Sequence, residues 1–468
     1  MSRAVWAMGT LAVLLAGCAA PATHQSVTPV APVQMGLAGG PAPYIDQAWW
    51  RSFGDPQLDR IVADATGGNP SLATALARVR QAQAGLERQQ AERNLDVSAD
   101  LSPQVQRLSG RYIIPPPYGG SVRFVGTGVA NLSYNLDLFG RQQAAILEAR
   151  QSAQAARYDV AAARLAIAGS VVQTYLDLVR ADAQAAIARA TITERERSLR
   201  LVESQVRNQL ASKVQSTAAA TLLAQAREAL TAAEGSRALA VNALAALAGR
   251  GGDYAAGIGP TAARLDAGLP VPTVLPADLL ARRPDIAAAQ ARIAATAAGQ
   301  QVARRAYYPN VNLTALAGLQ AIGIGNLFSL DAGTAGGGGA IHLPIFEGGR
   351  LRAGLESATA QVDLANAAYN ERVVGAVREA ADALALSTNL QAQRQRAEQV
   401  VRGFAETGRL NAVRVSSGLN SQLDLVDNDV RLLDARLTAT NLAAEAARQR
   451  VALVLALGGG FSAESVQP

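Results

Sequence analysis

Few residues in this 468-residue sequence have the types and spacing for chemistry. Asp424 and Asp427 follow a Gly418-Leu419-Asn420-Ser421 turn, and carboxylates three apart on a helix share a face. Such a pair can line an ion path, although in isolation it is more often a solvated acidic surface. Asp429 and Asp434, further along, read as surface charges. Cys18 is the only cysteine, so there is no disulfide framework, and its thiol is a candidate for acylation. The two histidines, His24 and His342, are far apart in sequence, and no Cys/His spacing suits a metal. No P-loop, GxSxG or HExxH pattern occurs. The expectation is a non-enzyme with no metal and no cofactor, apart from a covalent lipid on Cys18. A net charge of +6, without a basic cluster interleaved with aromatics, argues against nucleic acid as a partner.

The context of Cys18 supports acylation. Residues 1–17 read as a signal peptide, with Arg3 as its positive region and Ala4–Ala16 as an apolar stretch too short to span a membrane. It closes on Leu15-Ala16-Gly17-Cys18, which resembles the bacterial lipobox, where the cysteine is lipidated and becomes the mature N-terminus. Several acyl chains make a stable anchor at about 0.8 kcal/mol per buried CH₂. Ala19 stands where retention in the inner membrane resembles a rule needing Asp, and so favours the outer membrane. Residues 18–43, rich in Pro, Ala and Gly, read as a lipidated tether without a fold of its own.

The elements that position these residues are mainly helical. Hydrophobic residues make up 49% of the chain but aromatics only 4%, and alanine supplies much of the difference. Alanine is the best helix former and a poor core filler, which suits long helices packed closely. No stretch after the N-terminus has the 18 or more apolar residues of a transmembrane helix.

The chain is also written twice. Asn69-Pro70-Ser71-Leu72 has a counterpart 214 residues on, at Arg283-Pro284-Asp285-Ile286, and Phe139 has one 207 residues on, at Phe346. Each Phe opens a helical tract that ends near a glycine, Gly249 or Gly458. The spacing predicts a first repeat over 44–249: a helix, two strands within about 95–138, and a helical hairpin over about 140–249. A linker over 250–275 leads to a second repeat over 276–458, with strands within about 309–346 and a hairpin over about 348–458. A tail follows over 459–468. Tyr158, Ala162, Leu165, Gly169, Val172, Leu176 and Val179 form a seam at coiled-coil spacing, and hairpin helices of about 50 residues each are expected.

The strands alternate. Val97, Ala99, Leu101, Pro103 and Val105 interleave with Ser98, Asp100, Ser102, Gln104 and Gln106, and Val122–Leu138 repeats the pattern. Val311–Leu319 alternates more weakly, and a Gly-rich strand runs from about Ala335 to Ile345. Residues 95–140 and 307–346 hold nine of the twenty aromatics, among them Tyr112, as interfacial girdles do. Tilted strands of 9–11 residues cross a bilayer, but four strands cannot close a barrel. Open edges in lipid would leave backbone groups unpaired, so several chains must contribute.

The sequence resembles the TolC-like outer membrane factors, specifically the NodT/OprM-type lipoproteins. The resemblance rests on the lipobox, "WWRSFGDPQLDRIV" from Trp49, "LSYNLDLFGR" from Leu132, "LPADLLARRPDI" from Leu275 and "LPIFEGGRLRA" from Leu343. It implies a mainly α fold with a membrane β-barrel: a trimeric 12-stranded β-barrel joined to a long α-helical barrel, with internal duplication and a mixed equatorial belt. It implies the outer-membrane channel of a tripartite RND-type efflux system, lipid-anchored, extending into the periplasm and conducting passively. The implied partners are sister copies in a homotrimer, a periplasmic adaptor (membrane fusion protein), an inner-membrane RND transporter and outer membrane lipid. Adaptor contact is implied at two inter-helix turns, Leu210, Ala211 and Ser212, and Gly418, Leu419, Asn420 and Ser421. Asp424 and Asp427 match a D-x-x-D that lines the closed periplasmic gate. The sequence departs from the family at Leu95, where a proline is usual, and at Gln209, where glycine is usual. The rival reading is a non-channel periplasmic coiled-coil lipoprotein, an adaptor or scaffold. That would carry one hairpin between two halves of a small β-domain, and two hairpins count against it.

Overall fold

The computed structural model describes residues 20–37, 44–111, 113–266, 269, 278–419 and 421–463. In chain order the main elements are α1 (Pro56–Gly68), α2 (Pro70–Ala91), β1 (Asp96–Arg107), β2 (Val122–Leu136), α3 (Arg141–Arg207), α4 (Lys213–Leu247), α5 (Gly252–Ala256), α6 (Pro284–Arg305), β3 (Asn310–Ile322), β4 (Gly333–His342), α7 (Arg350–Ser416) and α8 (Gln422–Ala456). The duplication shows in the lengths. α2 and α6 have 22 residues each, α3 and α7 have 67, and α4 and α8 have 35. The expectation of equal helices near 50 residues is therefore corrected to one of 67 followed by one of 35.

Two compact units form, and neither is one of the repeats. One comprises the described residues within 20–29, 78–156 and 289–369, and the other those within 30–77, 157–288 and 370–463. Each draws on both halves of the sequence.

The first unit contains one antiparallel sheet in the order β1-β2-β3-β4, so β2 and β3 join the two repeats. The register aligns Val97, Leu132 and Ala315, and likewise Leu101, Gly128 and Leu319, on one face. The other face carries Ser98, Asn131, Ser133 and Asn312, with Ser133 and Asn312 hydrogen-bonded. β1 is exposed along its whole length, including Leu101 at 76% and Val105 at 73%. A long apolar sheet face facing outward without a covering helix calls for a solvent other than water.

In the same unit residues 20–29, part of the segment read as a tether without a fold of its own, form no helix or strand but run as a strap along α6 and α7. Asp363 accepts hydrogen bonds from the backbone N–H of Ser26 (3.0 Å) and Val27 (3.2 Å). Asn366 Nδ2 donates to Val27 O at 2.8 Å, and Arg304 Nη2 donates to Thr23 Oγ1 at 2.9 Å. The Ser26 and Val27 amides hold the Asp363 carboxyl below its ordinary value. This grip is thus present above the ordinary carboxylate range and lost as pH falls through the lowered value.

In the second unit the hairpins meet the short helices end to end. Gly249 (φ +67°) follows α4 so closely on Gly68 that a Cβ would collide with the Gly68 carbonyl. Gly458 (φ +89°) repeats this after α8 against Arg282. Asn69 Nδ2 donates to the α4 terminal carbonyl of Leu247 at 2.8 Å, and Arg283 Nη1 donates to that of Ala456 at 3.2 Å. Each bond satisfies one of the open carbonyls at the end of its helix. Arg283 also pairs with Asp285 and Glu379, at 2.8 Å and 3.0 Å. Burial raises the Asp285 carboxyl, but the Arg283 hydrogen bond and charge outweigh it and hold it below its ordinary value.

α3 packs on more sides than one seam. Val171, Val172, Tyr175, Leu176 and Leu178 are all fully buried, and Gly169 leaves room for Leu455 of α8. The segment read as a linker is partly structured as well. Beyond α5, Asp55 accepts from Ala262 N at 2.8 Å and from the Tyr175 hydroxyl at 2.5 Å, and Asp182 accepts from Thr261 N at 3.1 Å. Residues 267, 268 and 270–275 of that linker, and 276 and 277 at the start of the second repeat, lie outside the described residues.

Two outcomes are expected. Gly458→Ala combines a left-handed backbone with a carbonyl collision and should cost at least about 2 kcal/mol, read as a lowered thermal midpoint. Asp363→Ala should speed hydrogen exchange at Ser26 and Val27 while leaving the β2–β3 amides unchanged.

Candidate functional site

The tips of the two hairpins are built alike. After α3, Leu210 N bonds to Gln205 O and Gln209 N to Val206 O; after α7, Leu419 N bonds to Arg414 O and Gly418 N to Val415 O. This is a helix stop that needs a left-handed residue. Gly418 supplies it at φ +73°, whereas Gln209 is forced to φ +58° and is the sole non-glycine with positive φ among the described residues. The sequence departure at Gln209 thus sits on a strained backbone position. Leu210 (79% exposed) and Leu419 (69%) hold equivalent places, each an apolar side chain held out at a tip. Ser212 and Ser421 then start α4 and α8. Ala211 lies between them in the first turn, and Asn420 in the second lies outside the described residues.

Asp424 and Asp427 are both exposed on the first turns of α8. Each has a local partner that the sequence reading did not assign. Asp424 closes a capping box, with Ser421 N donating to its Oδ2 at 3.1 Å and its own N–H donating to Ser421 Oγ at 3.2 Å. Asp427 pairs with Arg431 one turn on, at 3.0 Å. Both signals were available as the S-x-x-D spacing and the i,i+4 charge pair. One oxygen of each carboxylate is spoken for, and both groups still face outward.

The opposite face of α8 carries Val426, Val430 and Leu433, all buried. Asn428, between Val426 and Val430 in sequence but not on their face, is buried too and donates from Nδ2 to Phe404 O of α7 at 3.1 Å. A Cβ at Gly408 would lie 2.7 Å from that nitrogen, so the close approach depends on glycine. Sequence reasoning missed this pin. Its only trace was a glycine inside an uninterrupted helix. Asp429 is partly buried, and that burial raises its carboxyl.

At the helix-proximal end of the sheet, Phe139 and Tyr308 stack with ring centroids 5.1 Å apart, beside exposed Leu138, Ile345 and Phe346. At the far end Arg123 sits over the Tyr118 ring at 5.7 Å. Aromatics therefore mark both limits of the apolar face. Tyr112 lies outside the described residues, as does Cys18.

The family model for outer membrane efflux protein matches residues 61–250 and 275–459. The chain belongs to the outer membrane efflux protein family. Similar proteins include the pyoverdine export outer membrane protein OpmQ of Pseudomonas putida, 31% identical over 97% of this chain and 97% of that one. The fusaric acid resistance protein FusA of Burkholderia cepacia is 36% identical over 67% of this chain, and the match spans 60% of that protein. Among solved structures, the outer membrane protein VceC of Vibrio cholerae aligns with a TM-score of 0.81 at 33% identity, covering 90% of this chain and all of that one. This outer membrane efflux protein therefore has the TolC-like fold, with a membrane β-domain and long helices. It serves as an outer-membrane channel component of an efflux system. The rival adaptor or scaffold reading falls with that assignment.

Gln209→Gly should relieve about 1 kcal/mol of strain, slowing hydrogen exchange at the Leu210 amide about fivefold. Gly418→Gln should do the reverse at Leu419.

Proposed function

We propose that three copies of this outer membrane efflux protein associate as one duct, with twelve strands closing a barrel in the outer membrane. The observation that carries this is the four-stranded sheet whose apolar face is exposed and whose β1 and β4 edges have no strand partner among the described residues. In lipid such edges are not tolerated, and closure by sister copies removes them. Lipidation of Cys18 would tether each copy to the same membrane, consistent with residues 20–29 being fastened to the unit that holds the sheet.

The duct conducts passively, fed by an inner-membrane RND transporter through a periplasmic adaptor. The exposed leucines at equivalent tips, Leu210 and Leu419, favour the turns Leu210–Ser212 and Gly418–Ser421 as the adaptor contact. In a trimer Asp424 and Asp427 become six carboxylates, and at a narrow mouth such a ring attracts cations and disfavours anions. Their partners Ser421 and Arg431 orient them on the exposed face of α8.

Asp424→Ala with Asp427→Ala should raise the leak conductance in planar bilayers at least about twofold and abolish block by multivalent cations. Asp424→Asn, which keeps an acceptor for the helix start, separates loss of the ring from loss of the cap. Unchanged conductance and block in the double variant would remove both residues from the gate.

A further inference from the structure

A groove of about 350 Å³ lies between the first turns of α3 and the last turns of α6. Three arginines line it, Arg93, Arg150 and Arg305, and no carboxylate does. Its remaining surface includes Ile146 and Ala298, both buried, and the exposed Leu147. Arg93 and Arg150 have no carboxylate partner among the described residues, unlike the many arginines of this chain that sit in i,i+3 or i,i+4 pairs. Arg305 is held in place by donating to the Gly140 carbonyl, where the left-handed glycine leaves room for it. Three like charges around one groove repel each other unless an anion joins them.

The groove's level in the fold decides which anion. Arg93 stands three residues before β1, and Arg305 stands five before β3. The groove is therefore at the junction where helices give way to strands. The exposed apolar face belongs to the strands, so in the barrel proposed above lipid begins there and headgroups lie at this junction. The strap lies on the neighbouring turn of α6, with Thr23 bonded to Arg304.

We propose that Arg93, Arg150 and Arg305 bind the phosphate of an anionic phospholipid of the periplasmic leaflet, with its acyl chains leaving over Leu147 toward the apolar face of the sheet. Guanidinium forks match phosphate oxygens, and an apolar floor beside cations fits an amphiphile better than a free ion. Basic pockets at membrane boundaries take lipid headgroups on the same chemistry.

The test is native mass spectrometry of the full-length protein from mixed micelles holding equal phosphatidylglycerol and phosphatidylcholine. Phosphatidylglycerol should be retained in preference, and Arg93→Gln with Arg150→Gln should lower that retention at least about fivefold. Arg88→Gln, an exposed arginine outside the groove, should change nothing. Should the double variant fail to fold, Arg150→Lys, which keeps the charge and loses the fork, should lower retention about two- to threefold. Equal retention of both lipids, or full retention by the arginine variants, would overturn the proposal. Displacement of the lipid by millimolar inorganic phosphate would also overturn it, by pointing to a free-anion site.

Discussion

Backbone amides and carbonyls cannot be left unpaired in hydrocarbon, and that constraint governs this molecule. β1 has 12 residues and β4 has 10, each pairing on one side only among the described residues. With half of those groups open at several kcal/mol each, a lone sheet in lipid carries a penalty on the order of tens of kcal/mol. The sheet also exposes Val97, Leu101 and Val105, which water would penalise. Sister copies supply hydrogen bonds at the edges while lipid accepts the apolar face, and each requirement alone would be insufficient.

The helical parts obey a related economy of backbone. α4 and α8 have about half the length of their partners α3 and α7, and α2 and α6 abut their ends through Gly249 and Gly458. The side chains of Asn69 and Arg283 bridge these joints by donating to the last helix carbonyls. The helix ends thereby keep these polar groups satisfied. The duplication is preserved in this detail even though the bridging residue differs between repeats.

Much of this was legible in the sequence. Period-two alternation located the strands, because residues on alternate sides meet different solvents. The left-handed helix stops announced themselves through Gly418 and, by its absence, through Gln209. Helix length was misjudged because alanine-rich segments give no local sign of where in a hairpin the turn falls. The strap on α6 and α7 was missed for another reason. Its partners Asp363 and Asn366 lie over 330 residues away, and a Pro- and Ala-rich segment carries no periodicity to betray contact. The local partners of Asp424 and Asp427 could have been read from spacing, whereas the Asn428–Gly408 contact needed three dimensions.

The central claim concerns the open edges, and cross-linking tests it most directly. Ser102→Cys in β1 with Gly336→Cys in β4 places thiols on strands at opposite edges of one chain's sheet. Oxidation in the outer membrane, with neighbouring β4 positions scanned for register, should give species of two and three linked chains and nothing larger. A protein that stays a single chain at every position tested, and remains monomeric in detergent, would contradict the closed barrel.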